Sequence, residues 1–145
     1  HRIAAINFFY MGIVGIIPPQ LGNLSFLTWL NVMNNSFHGH LPSELSHLRR
    51  LKYINLARND LEGKFPSCLG GVTSLRLKNF PYNKFSGSLS GRICNFTNSE
   101  WINLGFNFLP GNILEEFSAP PKLKNLAMEF DQLVDPLPQA FFNLA

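Results

Sequence analysis

The sequence predicts an α/β solenoid, a stack of short coils in which each coil gives one β-strand to a shared parallel sheet. Three observations carry this reading. Gly15, Gly39, Gly63, Gly87 and Gly111 stand 24 residues apart, and Asp135 takes the next place. Asn35, Asn59, Asn83 and Asn107 keep the same step four positions earlier, with Met11 and Asp131 at the two ends of the column. Leu and Asn are both in excess, at 22 and 16 of 145 residues, as a repeat with fixed Leu and Asn positions requires. Six units of 24 residues cover the chain, at about 1–24, 25–48, 49–72, 73–96, 97–120 and 121–145, without one insertion or deletion.

Within a unit the elements follow in order. Ile6, Leu30, Ile54, Lys78, Ile102 and Leu126 form one column, and Phe8, Val32, Leu56, Phe80, Leu104 and Met128 form another two residues on. This alternation reads as a short strand with one buried face. Ile13, Phe37, Leu61, Phe85, Leu109 and Leu133 follow the Asn column. The recurring Gly then suits a tight turn, and Pro18, Pro42, Pro66 and Pro138 after it break a continuing ladder. Leu21 and Leu24, Leu45 and Leu48, Leu69 and Val72, and Ile93 and Phe96 are spaced by three, as on a 3₁₀ or helical turn on the opposite side. No unit can bury its apolar face alone, so neighbouring coils must stack.

The Asn column has a physical reason. A sharply turning coil leaves backbone N–H and C=O groups facing inward, and an Asn side chain offers both donors and an acceptor to the coil beside it. Asn35, Asn59, Asn83 and Asn107 are expected to be an internal structural ladder.

Composition sets bounds on function. With 12 basic and 9 acidic residues the formal charge is +3, mild and scattered along the sequence, which argues against a nucleic-acid partner. No apolar run reaches the roughly 18 residues of a membrane span. Cys68 and Cys94 are too few for a disulfide framework or a zinc cluster. They lie on adjacent coils, and free thiols are the expectation.

The motif Leu-x-x-Leu-x-Leu-x-x-Asn-x-Leu-x-Gly-x-Ile-Pro is matched by Leu27–Pro42 and Leu51–Pro66. It resembles the plant type of leucine-rich repeat. The segments from Arg2 to Asn7 and from Gly15 to Leu27 are similar to the first repeats of receptor-like kinases related to the plant flagellin and elongation-factor receptors. That resemblance implies a right-handed leucine-rich-repeat superhelix with short parallel strands on the concave face and a convex side of 3₁₀, short-helical and loop segments. It also implies an uncapped fragment of a longer array, and residues 1–145 alone are expected to be poorly soluble or to associate end to end. Ser90 and Leu114 depart from the Pro column, Ser99 and Pro120 weaken apolar columns, and Lys78 stands in a buried one. An ammonium there must either snorkel out or shift the strand.

Side chains between the buried positions point onto the concave face. One such column holds Asn7, Asn31, Asn55, Asn79 and Asn103. A second holds Ala5, Trp29, Tyr53, Leu77, Trp101 and Asn125. A third, just before the ladder, holds Tyr10, Asn34, Arg58, Tyr82, Phe106 and Phe130. Rigid aromatics beside amides suit recognition of a peptide, since they lose little side-chain entropy and amides pair with backbone. The candidate binding residues are therefore Trp29, Asn31, Tyr53, Asn55, Arg58, Asn79, Tyr82, Trp101, Asn103 and Phe106. The competing role for each is cross-strand support of the sheet.

Asn23, Asn34 and Asn95 each open an N-x-Ser/Thr sequon, a secretory glycosylation signal. Catalytic signs are poor. The His38-Gly39-His40 step falls on a position that every unit repeats and reads as solvated. Glu115-Glu116 has no definable partner. Kinase motifs and phosphate-cradling loops do not occur, and no cofactor or metal is expected. The resemblance implies the extracellular ligand-binding region of a plant receptor-like kinase, with a peptide or protein ligand, a possible co-receptor leucine-rich-repeat kinase, and membrane attachment through other segments. The alternatives are a secreted inhibitor of a cell-wall-degrading enzyme and a non-functional receptor gene fragment.

Overall fold

The computed structural model describes residues 2–64, 69, 71–87, 98–109 and 121–128. Cys68, Cys94, Asn95, Glu115, Glu116, Phe130 and Asp131 lie outside them. Among the described residues six strands form one parallel sheet: β1 (Ala5–Asn7), β3 (Trp29–Asn31), β5 (Tyr53–Asn55), β7 (Leu77–Asn79), β9 (Trp101–Asn103) and β10 (Asn125–Ala127), in that spatial order. Every pair along it is in the 24-residue register, from Ala5↔Trp29 to Trp101↔Asn125. The central residue of each strand turns inward, and Leu30, Ile54 and Ile102 are buried with Leu27, Leu51, Leu75, Phe80 and Phe85 in one continuous core.

A second parallel sheet follows the turn: β2 (Val14–Gly15), β4 (Ser36–Gly39), β6 (Asp60–Lys64) and β8 (Lys84–Ser86). Its Gly positions were expected to be simple turns. Gly15, Gly39 and Gly63 lie within or at the ends of strands instead and Gly87 just beyond β8, and Gly39, Gly63 and Gly87 take φ of 77°, 94° and 84°, which L side chains rarely adopt. The register also differs: Gly15 pairs with Phe37, Gly39 with Leu61 and Gly63 with Phe85, a step of 22 residues. Each coil is thus offset by two residues from its neighbour in this sheet.

The convex side carries 3₁₀ turns at Pro19–Asn23 and Ser43–His47, where the Leu pairs spaced by three were expected. They pack so closely that a Cβ on the buried Gly22 would strike the Glu44 carbonyl.

The Asn ladder joins the two registers. Asn59 Nδ2 donates to Val32 O at 3.0 Å, Leu56 O at 3.1 Å and Ala57 O at 3.3 Å, while its Oδ1 accepts from Phe37 N at 3.0 Å. Asn35, Asn83 and Asn107 repeat the pattern, accepting from Ile13 N, Leu61 N and Phe85 N, each 22 residues earlier. One amide therefore satisfies buried groups on two coils.

Lys78 is the exception in the core. It was expected to snorkel or to shift its strand, and it does neither. Ile54, Lys78 and Ile102 stay in register, and Lys78 is 1% exposed. Its Nζ donates to Leu75 O at 3.2 Å and to Ser99 Oγ. Ser99 occupies the column of Leu27, Leu51 and Leu75, so two departures from the repeat are one compensated pair. The small side chain vacates volume for the ammonium and supplies an acceptor. Burial pushes the Lys78 pKa from 10.5 down to about 7.

Candidate ligand-binding face

The outward side chains of the six-stranded sheet bring the predicted columns together on one concave face. In the second column Trp29 and Tyr53 are cross-strand neighbours and stack with ring centroids 3.7 Å apart. Trp101 lies two strands further, with Leu77 between, and both are exposed. Tyr53, Leu77, Trp101, Asn79, Asn103 and part of Lys78 line a groove of about 410 Å³. Leu77 was not among the predicted binding residues. Its place between two aromatics of one column was the signal that could have found it.

The Asn column has mixed duties. Asn31 Oδ1 accepts from Met33 N, Asn55 Oδ1 from Ala57 N and Asn103 Oδ1 from Gly105 N, at 3.0–3.1 Å. These Asx turns start the bend that leaves the strand. Asn55 is buried and also donates to Tyr53 Oη at 3.0 Å, so its polar groups serve the sheet. Asn79 differs because Pro81, two residues on, has no N–H to donate. Its Nδ2 turns to Asn55 Oδ1 at 3.1 Å instead. Asn79 Oδ1 and Asn103 Nδ2 have no hydrogen-bond partner among the described residues, and both border the groove.

The third column is a left-handed turn. Tyr10, Asn34, Arg58, Tyr82 and Phe106 all have φ between 52° and 58°. Such a turn costs an L residue about 1–2 kcal/mol, and side-chain stacking offsets it here. Arg58 lies 4.3 Å over Tyr82, whose other neighbour, Phe106, is stacked at 4.2 Å. These three candidates therefore already stack on one another beside the groove. Of the described sequons, Asn23 is exposed at the end of a 3₁₀ turn, and Asn34 is half-buried in its turn.

Charge gathers at one edge. Arg2, Arg49, Arg50, Lys52, Arg76, Lys122 and Lys124 all lie within four residues before a strand of the six-stranded sheet, and all are exposed. They are seven of the chain's 12 Lys and Arg residues. Charges scattered along the sequence are thus collected in space by the repeat. Arg2 and Arg50 lie 4.8 and 4.4 Å from the Phe26 ring centre, and Lys124 pairs with Glu100 at 3.1 Å. Lys52 and Arg76 have no ion-pair partner among the described residues. The His38 and His40 side chains lie on and beside β4, away from this face. Among the described residues no group of three or more His, Cys, Asp or Glu side chains could hold a metal ion. No helix among them is long and apolar enough to cross a membrane.

The leucine-rich-repeat family model matches residues 26–48 and 50–72. A comparison with curated protein sequences gave no match. Among solved structures, the chain is similar to the ectodomain of the Arabidopsis receptor kinase HAESA in complex with an IDA peptide hormone, at TM-score 0.81 and 34% identity. That match covers 90% of this chain and 22% of the HAESA chain. The complex of PEPR1 with AtPEP1 is matched at TM-score 0.78 and 30% identity, over 88% of this chain and 18% of that one. The BIR3–SERK2 complex from Arabidopsis thaliana is matched at 0.74 and 25%, over 93% of this chain and 75% of that one. The fold and the matched repeats make the chain a leucine-rich-repeat solenoid. Its repeats are similar to those of the plant receptor ectodomains, and it spans about a fifth of the length of the two peptide-bound receptors.

Proposed function

We propose that the chain is a peptide-recognition segment from the extracellular ligand-binding region of a plant receptor-like kinase, in immune or developmental signalling. The observation that carries this reading is the concave row of aromatics and amides held in one register, with Trp29 and Trp101 exposed and a groove between Tyr53 and Trp101. Such a row gives a peptide rigid apolar contact and backbone pairing at once. HAESA, RGFR1 and PEPR1 are captured with IDA, RGF2 and AtPEP1, and SERK2 with BIR3, which supports a peptide ligand and a co-receptor as partners here. Asn31, Asn55, Arg58, Tyr82 and Phe106 shape and stiffen the face, whereas Trp29, Tyr53, Asn79, Trp101 and Asn103 touch the ligand.

The test is selection of binders from a displayed peptide library on this chain, counter-screened against a Trp29→Ala, Tyr53→Ala, Trp101→Ala variant. Binders that lose affinity on the variant are expected. A library that yields none dependent on this face would overturn the reading.

A further inference from the structure

We infer that the groove takes one aromatic side chain from an extended acidic peptide, whose carboxylates lie on the basic edge at Lys52 and Arg76. This rests on the peptide-recognition reading above and names the class of peptide.

The aromatic part follows from spacing. Neighbouring parallel strands lie about 4.8 Å apart, so Tyr53 and Trp101, two strands apart, stand roughly 9.5 Å apart at their bases. A planar ring seated over Leu77 would face each at about 4.8 Å, within the range at which aromatic rings attract one another. The same column shows the sheet performing this stacking, since Trp29 and Tyr53 on adjacent strands lie 3.7 Å apart. Leu77 breaks the row of rings and leaves the vacancy. In the other stack on the face, Arg58–Tyr82–Phe106, both faces of the central ring are already taken.

The floor adds polarity. Asn79 Oδ1 offers an acceptor because Pro81 cannot donate to it, and Asn103 Nδ2 offers a donor one strand away. A peptide N–H and C=O flanking the inserted residue satisfy both.

The acidic part follows from charge. Lys52 and Arg76 immediately precede Tyr53 and Leu77, on the strands that line the groove. With Lys122 they also line a polar hollow of about 310 Å³ at the sheet edge. Among the described residues Glu100 is the single acid lining it, and it is engaged by Lys124. An acidic residue on either side of the inserted ring meets these cations, and the attraction weakens with salt.

The probe is the peptide acetyl-Asp-Glu-Phe-Glu-Asp-amide, with binding read by Trp fluorescence and by calorimetry on the 145-residue chain carrying a polar capping repeat at each end against end-to-end association. The comparison peptides carry Leu for Phe, or Lys for every acid. The acidic Phe peptide is expected to bind, the Leu peptide about tenfold more weakly, and the Lys peptide not at all. Trp101→Ala, and Leu77→Trp, which fills the vacancy, should each remove the Phe preference. Lys52→Glu with Arg76→Glu should weaken the acidic peptide about tenfold or more and flatten its salt dependence. Lys84→Gln, on the other sheet, should change nothing. Equal binding of the Phe and Leu peptides, equal binding of the Lys peptide, or stronger binding of a uronate oligomer at the same residues would overturn the inference. Library binders that need the concave face but carry neither acid nor ring would overturn it too, while leaving peptide recognition standing.

Discussion

The Lys78–Ser99 pair gives the sharpest prediction, because its energy has a pH signature. In the unfolded chain Lys78 titrates near 10.5, and in the fold burial brings it to about 7. Between those values the unfolded state holds a proton that the folded state lacks. Stability must therefore rise with pH across this window, by about 1.4 kcal/mol per pH unit. Below about 7 both states are protonated and the slope vanishes. Over the whole window the gain is of order 5 kcal/mol, at about 1.36 kcal/mol for each tenfold in proton affinity. Lys78→Met fills similar volume and has nothing to titrate. Urea unfolding of both proteins, followed by Trp fluorescence at steps from roughly pH 6 to pH 10, isolates the term, since all other groups cancel in the difference. The Met variant leaves Leu75 O and Ser99 Oγ without a donor, at about 1–3 kcal/mol, so its stability at neutral pH is not the diagnostic quantity. The diagnostic is the gap between the two proteins, which should shift toward the native chain by several kcal/mol from low to high pH. Parallel curves would refute the reasoning and place the amine in solvent. Ser99→Leu should be harmful beside Lys78 and harmless beside Lys78→Ile, a coupling of about 2–3 kcal/mol.

Other outcomes follow from packing and accessibility. Asn59→Ala takes the acceptor from Phe37 N, while Val32 O and Leu56 O keep the Asn35 and Asn83 amides as donors, and it should cost about 1–3 kcal/mol and expose the Phe37 amide to hydrogen exchange. Gly22→Ala should lower the melting temperature by forcing the two 3₁₀ turns apart, at about 1–3 kcal/mol. An unchanged Tm would mean that the turns already have room. In a eukaryotic secretory host, Asn23→Gln should remove one glycan from the intact mass. Asn34→Gln should remove less, because that Asn sits half-buried in a left-handed turn.

Much of this architecture was legible from the sequence, for a reason particular to repeats. A column such as Leu30, Ile54 and Ile102 states its own register, and the six-stranded sheet follows it residue for residue. The Asn ladder was legible because few side chains both donate and accept at a sharp bend. The second sheet was not, since its step of 22 residues is out of phase with the 24-residue period that revealed everything else. Lys78 and Ser99 looked like two separate flaws, because their relation is a contact between coils and not a column. Lys52 and Arg76 looked scattered for a different reason: they do share a column, but Thr28, Glu100 and Lys124 share it too, and that mixture of residue types hid the clustering that stacking produces. The aromatics were seen, but their pairing was not. Whether a ring is open to a ligand or closed on its neighbour depends on distances such as that between Tyr82 and Phe106.

The buried pair also bears on how such an array can change over evolutionary time. Repeat arrays grow and shuffle by duplication and unequal exchange of single units. Lys78 and Ser99 belong to consecutive units, so an exchange between them separates donor from acceptor. A unit carrying Lys78 set beside one with Leu at the Ser99 position buries an ammonium against hydrocarbon. The reverse exchange leaves a hydroxyl with no donor and a gap. Either product is penalised before any ligand is met. Selection against both products would keep the fourth and fifth units together as one block, and the Leu77–Trp101 half of the groove with them. A contact that serves only the core would thereby protect the proposed recognition surface from recombination.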